Sequence, residues 1–290
     1  MSTVTSMERA AAAPAPQPAA PATPPPQWAD AWRERLEAAL RAVVGPVAGF
    51  ALFVLVWQVV AMRIPEIPTP GVTWQAAVAL FSDPFYDNGP NDKGILIQLG
   101  HSLARVGLGF ALACLVAVPL GFVIGMSPLL HKALDPFIQV LKPISPLAWM
   151  PLALYTIKDS TLSGIFVIFI CSIWPMLVNT AFGVAAVKKE WLNVAATLEV
   201  SPLRKALQVI LPAAAPTILT GMRISMGIAW LVIVAAEMLV GGTGVGYFVW
   251  NEWNNLSLTN VIFAVLLIGV VGMLLDLMFA QLQKAVTYVE

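Results

Sequence analysis

Apolar residues in this chain do not recur in stripes. They run on for about twenty positions at a time, the pattern of helices that bury every face. Six such runs occupy residues 43–62, 99–126, 133–157, 162–187, 214–240 and 259–280. A bilayer core about 30 Å thick takes ~20 apolar residues in helical form, and lipid accepts only helices or closed barrels. The pattern predicts an all-α integral membrane protein with six transmembrane helices.

Shorter patterns flank these runs. Trp28, Trp32, Leu36, Leu40 and Val43 repeat at helical spacing among Arg33, Glu34, Arg35 and Glu37, which predicts an amphipathic helix over 28–42 lying on the membrane surface. Before it, residues 1–27 are rich in Ala and Pro and are expected to be a disordered tail. The tail does not read as a cleavable signal, because the first apolar run follows too late and without a small-residue cleavage site. Residues 63–98 form an external loop holding a short interfacial helix over 73–81, with Trp74, Ala77, Val78 and Phe81 on one face. A second sizeable loop, 188–213, separates spans four and five.

Composition narrows the function. Hydrophobic residues make up 59% of the 290 and charged residues only 11%, against about a quarter in soluble domains. Sixteen basic and sixteen acidic residues cancel, so nothing points to nucleic acid. Lys and Arg set the orientation. Arg33, Arg35, Arg41, Lys132, Lys188, Lys189, Arg204, Lys205 and Lys284 fall at one set of ends. Arg63, Lys93 and Lys158 fall at the other, among Glu66, Asp83, Asp87, Asp92, Asp159 and Glu252. The first set is therefore expected in the cytoplasm, with both termini. Cys114 and Cys171 read as buried small hydrophobes, and neither histidine lies deep enough in a run to serve a nucleophile.

The loop between spans four and five carries the most informative pattern, NVAATLEVSPLRKALQVILP from Asn193 to Pro212. It predicts helix, turn, helix: a first helix over 190–200, then Ser201 as N-cap with Pro202 at the first helical position, and a second helix stopped by Pro212. Leu198, Val200 and Leu203 give the pair an apolar surface suited to a partner's groove.

This segment resembles the cytoplasmic coupling loop of ABC importer permeases, whose pattern is Glu-Ala-Ala, three residues, Gly, nine residues, Ile-x-Leu-Pro. Ala195, Thr197, Leu198, Ser201, Val209, Leu211 and Pro212 stand in register. Asn193 replaces the usual acid and Glu199 the usual Gly. Because a non-Gly residue in a left-handed turn costs roughly 1 kcal/mol or more, the turn is expected to shift toward Ser201 and Pro202. The likeness continues over residues 51–280. PISPLAWMPLALYTI (143–157) is similar to the third span of the nitrate/sulfonate/taurine permeases, and residues 82–94 and 240–255 are similar to the nitrate, bicarbonate and cyanate branch.

The resemblance implies a type I importer permease fold and a share in ATP-driven uptake of a small inorganic anion by alternating access, nitrate first, then nitrite, bicarbonate or cyanate. It implies a permease homodimer, two cytoplasmic ABC ATPases docked on residues 193–212 (Arg204 among them), and an external solute-binding protein. The chain itself is expected to be no enzyme and to bind no cofactor. Gly241–Gly246 lacks the Lys-Ser/Thr of a phosphate loop, so ATP belongs to other chains. The alternatives are a sulfonate, taurine or thiamine-precursor permease, and, further off, a secondary transporter, which would show an inverted repeat, or a membrane-embedded enzyme.

Polar residues inside spans supply the candidate pathway. Pro136, Pro143, Pro146 and Pro151 should interrupt the third span. A break with Ser145 as N-cap would aim a positive helix end inward, with Lys142 beside it, an arrangement suited to an anion. The rival reading has the prolines only bending a packed helix, with Lys142 reaching to the cytoplasmic face. Ser172, Trp174 and Asn179 in span four are further pore candidates. Arg105 and Glu237, at similar depth near the outer ends of spans two and five, are expected to form a structural ion pair, with a gate as the alternative. Arg223 either pairs with Glu199 or meets the solute.

Overall fold

A computed structural model describes residues 27–89 and 92–286, with side chains from residue 43 onward. The expected tail therefore lies outside the described residues, and so do the side chains of the expected amphipathic helix. The chain divides into two compact units, Met1–Val56 and Trp57–Glu290. Helix α1, Gln27–Arg63, is continuous, without a break between surface and spanning parts, although Pro46 lies within it. Its apolar stretch Val43–Arg63 is long enough to span.

The remaining helices are α2 (Pro70–Ser82), α3 (Ile95–Met126), α4 (Pro128–Leu141), α5 (Pro146–Ile157), α6 (Ser160–Ala185), α7 (Lys189–Thr197), α8 (Pro202–Lys205), α9 (Leu211–Val240), α10 (Val245–Asn254) and α11 (Leu258–Val286). Among the described residues, five stretches are long and apolar enough to cross a membrane, and the bent pair α4–α5 supplies a sixth.

Small residues let the central helices touch. Along α3, Gly109, Ala113, Ala117, Gly121 and Gly125 recur every four positions, a ridge that brings backbones close. A Cβ on Gly121 would lie 2.8 Å from the Leu177 carbonyl oxygen, and one on Gly125 would lie 2.5 Å from that of Ala181, both in α6. Across the next interface, a Cβ on Gly221 of α9 would meet the Asn179 side chain of α6 at 2.6 Å. The buried core accordingly joins α3, α5, α6, α9 and α11. Trp230 of α9 donates its indole N–H to the Ile268 carbonyl of α11 at 2.9 Å.

The expected third span is two helices meeting at 91°. Pro146, which has no N–H to donate, opens α5 at its first turn, and residues 142–145 form the corner. Lys158, left-handed at φ 58°, and Asp159, which caps α6 by accepting from Leu162 N–H at 2.7 Å, turn the chain back.

Helix α2 extends the interfacial helix expected over 73–81, but packs through a different face. Thr73 is buried, and Ala77 and Leu80 pack with Ile95, Phe248 and Phe263, while Trp74 and Val78 are exposed. The helix is apolar nearly all round, so its pattern did not fix the buried side. Residues 84–89 and 92–94 then form a compact clasp. Asn88 N–H donates to the Asp92 carbonyl at 2.9 Å, Gly94 N–H to the Tyr86 carbonyl at 2.7 Å, and Lys93 Nζ to Asp87 at 2.7 Å.

Candidate functional site

The loop between α6 and α9 begins with α7, which ends in two reversed hydrogen bonds: Val200 N–H to the Ala195 carbonyl at 3.1 Å and Glu199 N–H to the Ala196 carbonyl at 3.0 Å. This is the Schellman closure. It requires a left-handed residue at position 199, and Glu199 adopts φ 52°. The turn therefore has not shifted to Ser201–Pro202 as expected, because the paired bonds hold the register despite the missing glycine. Ser201 precedes α8 with Pro202 at its first position, but its side chain makes no capping bond.

The second helix does not stop before Pro212. Residues Ala206–Ile210 form a π-turn leading into α9, with Leu211 N–H donating to the Ala206 carbonyl. The wider turn accommodates a proline that an α-helical turn would reject. Pro202–Val240 is consequently one helical rod of 39 residues.

Ala195 is buried and Ile210 sits in a cluster with Val184, Val187, Ala214 and Ile218, which fastens the loop to the bases of α6 and α9. Val194 is 59% exposed, Leu198 71%, Leu203 70% and Leu207 55%. Those side chains form an apolar ridge, with Arg204 exposed beside Leu203. Thr197, also exposed, donates to the Asn193 carbonyl at 3.0 Å.

At the α4–α5 corner lies a cavity of about 250 Å³ lined by Lys142, Ser145, Trp149, Cys171, Trp174 and Ile228, among others. Lys142 ends α4, and Ser145 begins α5 without a side-chain cap bond. Lys142, Ser145 and Trp174 thus line one cavity, together with Trp149, which was not expected there. Ser172 does not line this cavity. Fully buried, it accepts at its carbonyl from Ser225 Oγ at 2.7 Å across the α6–α9 interface. Asn179 donates to the Pro175 carbonyl at 2.8 Å and fills the space above Gly221. Both lie at the α6–α9 interface.

Arg223 bonds neither Glu199 nor open space. It grips Asp276 of α11 with two nitrogens, at 2.5 Å each. Asp276 is the one carboxylate in the last span, a signal available in the sequence.

At the opposite end of α9, Glu237 is 3% exposed. Arg105 Nη1 donates to its Oε1 at 2.7 Å and to the Thr243 carbonyl at 2.6 Å. Ser102 Oγ donates to the carboxylate, 2.8 Å from Oε2, and accepts from Val245 N–H at 2.9 Å. Gly246 N–H reaches Oε2 at 3.0 Å, and Gly244 N–H reaches Gln98 Oε1 at 2.6 Å. Gln98 and Ser102 escaped notice in the sequence, although with Arg105 they form a polar i, i+4, i+7 stripe in an apolar helix.

A helical membrane bundle with a broken span, a largely apolar corner cavity beside Lys142 and Ser145 and an exposed apolar loop rooted in a spanning rod has the build of a transport permease. The chain belongs to the family of binding-protein-dependent transport system inner membrane components, whose pattern matches residues 117–288. It is 41% identical to the nitrate import permease protein NrtB of Synechocystis sp., over 86% of this chain and 90% of that one. It is 40% identical to the bicarbonate transport system permease protein CmpB of the same organism, over 84% and 89%. Its fold matches an inward-facing structure of the MetNI methionine ABC transporter, with a TM-score of 0.60 at 13% identity, covering 67% of this chain and 96% of that one.

Proposed function

We propose that this permease forms half of the membrane pathway of an ATP-driven importer for a small inorganic anion, nitrate first. Two copies pair about a two-fold axis, two ABC ATPases dock on residues 193–212 from the cytoplasm, and an external binding protein delivers the solute. Both termini lie in the cytoplasm, on the same side as the docking loop.

The observation that carries this reading is the loop itself. Leu198 and Leu203 are held out in solvent by a closed turn and by the base of a rod that runs through the bundle. An apolar ridge kept exposed on a rigid mount suits insertion into a partner's groove, and the rod gives the partner's movement a path inward. Nitrate is favoured by the near-full-length likeness to a nitrate permease. Bicarbonate is the second reading, favoured by a nearly equal likeness to a bicarbonate permease. Lys142 and Ser145, at the corner cavity, are assigned to the anion's path.

The test is ATP hydrolysis by the reconstituted permease–ATPase–binding-protein complex. Nitrate should stimulate it and taurine should not. Stimulation by bicarbonate alone would move the solute assignment to the second reading, and stimulation by taurine alone would overturn the anion branch. Lys142→Met should lower uptake about 10-fold or more while the complex still assembles; unchanged uptake would remove Lys142 from the path.

A further inference from the structure

We propose that the groove between α7, the base of α9 and the end of α11 binds one anionic phospholipid, its phosphate beside Lys188 and Trp191 and its acyl chains along Pro212 and Pro216. The lipid belongs to the leaflet on the side of the loop between α6 and α9, and the site does not depend on which solute the permease carries.

The groove has a volume of about 630 Å³, within the range of sites that hold small molecules. It is lined by Trp191 of α7, by Gln208, Val209, Pro212 and Pro216 along the rod, and by Val286 of α11. Gln283, one turn before Val286, donates to Thr220 Oγ1 at 2.8 Å. That bond ties α11 to α9 one turn beyond Pro216.

Position along the rod sorts the lining by polarity. The apolar run that enters the bilayer starts at residue 214, so Pro216 lies at the edge of the hydrocarbon core. Gln208, about 12 Å away along the helix, lies among the headgroups. Val209, Pro212 and Pro216 offer no polar side-chain atom. At the headgroup level stand Trp191 and Gln208, each with an N–H to donate. Lys188 joins them, its ammonium 5.3 Å from the centroid of the Trp191 ring. A cation over an indole face keeps N–H donors for a phosphate, and tryptophan favours this interfacial depth.

Charge and shape select the occupant. Among the described residues that line the groove there is no carboxylate. In the loop that forms its headgroup end, Lys188, Lys189, Arg204 and Lys205 outnumber Glu190 and Glu199. A soluble anion would leave the proline floor uncovered, and an uncharged lipid would leave the basic end unmatched. An anionic phosphodiester carrying acyl chains matches both ends at once, as in basic pockets between spanning helices that take anionic headgroups.

The experiment is native mass spectrometry of the full chain in detergent, with added phosphatidylglycerol or phosphatidylcholine of the same chain length. It needs neither ATP nor solute, so its outcome is separate from that of the transport reading. Phosphatidylglycerol should bind about 5-fold more tightly, and inorganic phosphate should not displace it. Lys188→Gln should remove the preference and leave phosphatidylcholine binding unchanged. Ala213→Phe, which puts a ring into the groove, should weaken both lipids; Lys188→Gln, at an exposed position, decides the matter should that variant fail to fold. Lys284→Gln is the control, a lysine in the last turn of α11 outside the lining. A benzophenone amino acid in place of Gln208 should cross-link to lipid. Equal binding of the two lipids, an equal loss of preference in Lys284→Gln, or displacement by inorganic phosphate would overturn the site. Cross-linking to a protein segment, of this chain or of a second copy, would overturn it too.

Discussion

Glu199 stores local strain in the loop between α6 and α9. Its φ of 52° suits glycine, and the Schellman bonds around it leave no other conformation. Glu199→Gly should therefore stabilise the turn by about 1 kcal/mol, seen as slower amide exchange at Glu199 and Val200; faster exchange would contradict the reading. The sequence displayed the departure from glycine, but not that two backbone bonds would keep the register. Asp87 makes a second residue-scale case. The Lys93 ammonium, then the Gly89 N–H, hold its carboxyl below the usual value of 3.8. A lowered folded pKa means that its contribution is complete above about 3.8 and is lost as pH falls through the lower, folded value. Proteolytic nicking within residues 84–94 should rise on acidification below that point, and Asp87→Asn should already show the raised rate at pH 7.

At the scale of helices, close packing rather than surface charge holds the bundle. Gly121→Val would drive side-chain carbons into the Leu177 carbonyl and Thr180. It should destabilise the detergent-solubilised protein by about 2 kcal/mol. Gly107→Ala, where an added Cβ meets nothing within 4 Å, is the matched control, and equal melting temperatures for the two would refute the packing argument. Runs of apolar residues made most of the helices legible in the sequence, and the proline cluster announced the break after Lys142. The α2 face was not legible, because Trp74 and Val78 are as apolar as the Ala77 and Leu80 that pack. Nor was the passage through Pro212, since a π-turn leaves no mark in hydrophobic periodicity.

Three features are set along one long rod: the exposed apolar loop at its start, the Arg223–Asp276 pair within it, and Glu237 near its end. The loop and the Arg105–Glu237 pair could be anticipated from residue types at matching depth. The partners Gln98, Ser102 and Asp276 could not be assigned before the helices were placed side by side. Uptake of nitrate into proteoliposomes, with and without the ATPase subunits, tests most directly whether energy enters through the loop. Uptake should require ATP and the ATPases, and Leu203→Asp, which places a charge on the apolar ridge, should reduce it at least about 10-fold. Uptake by the permease alone, or full ATP-driven uptake by Leu203→Asp, would contradict the account.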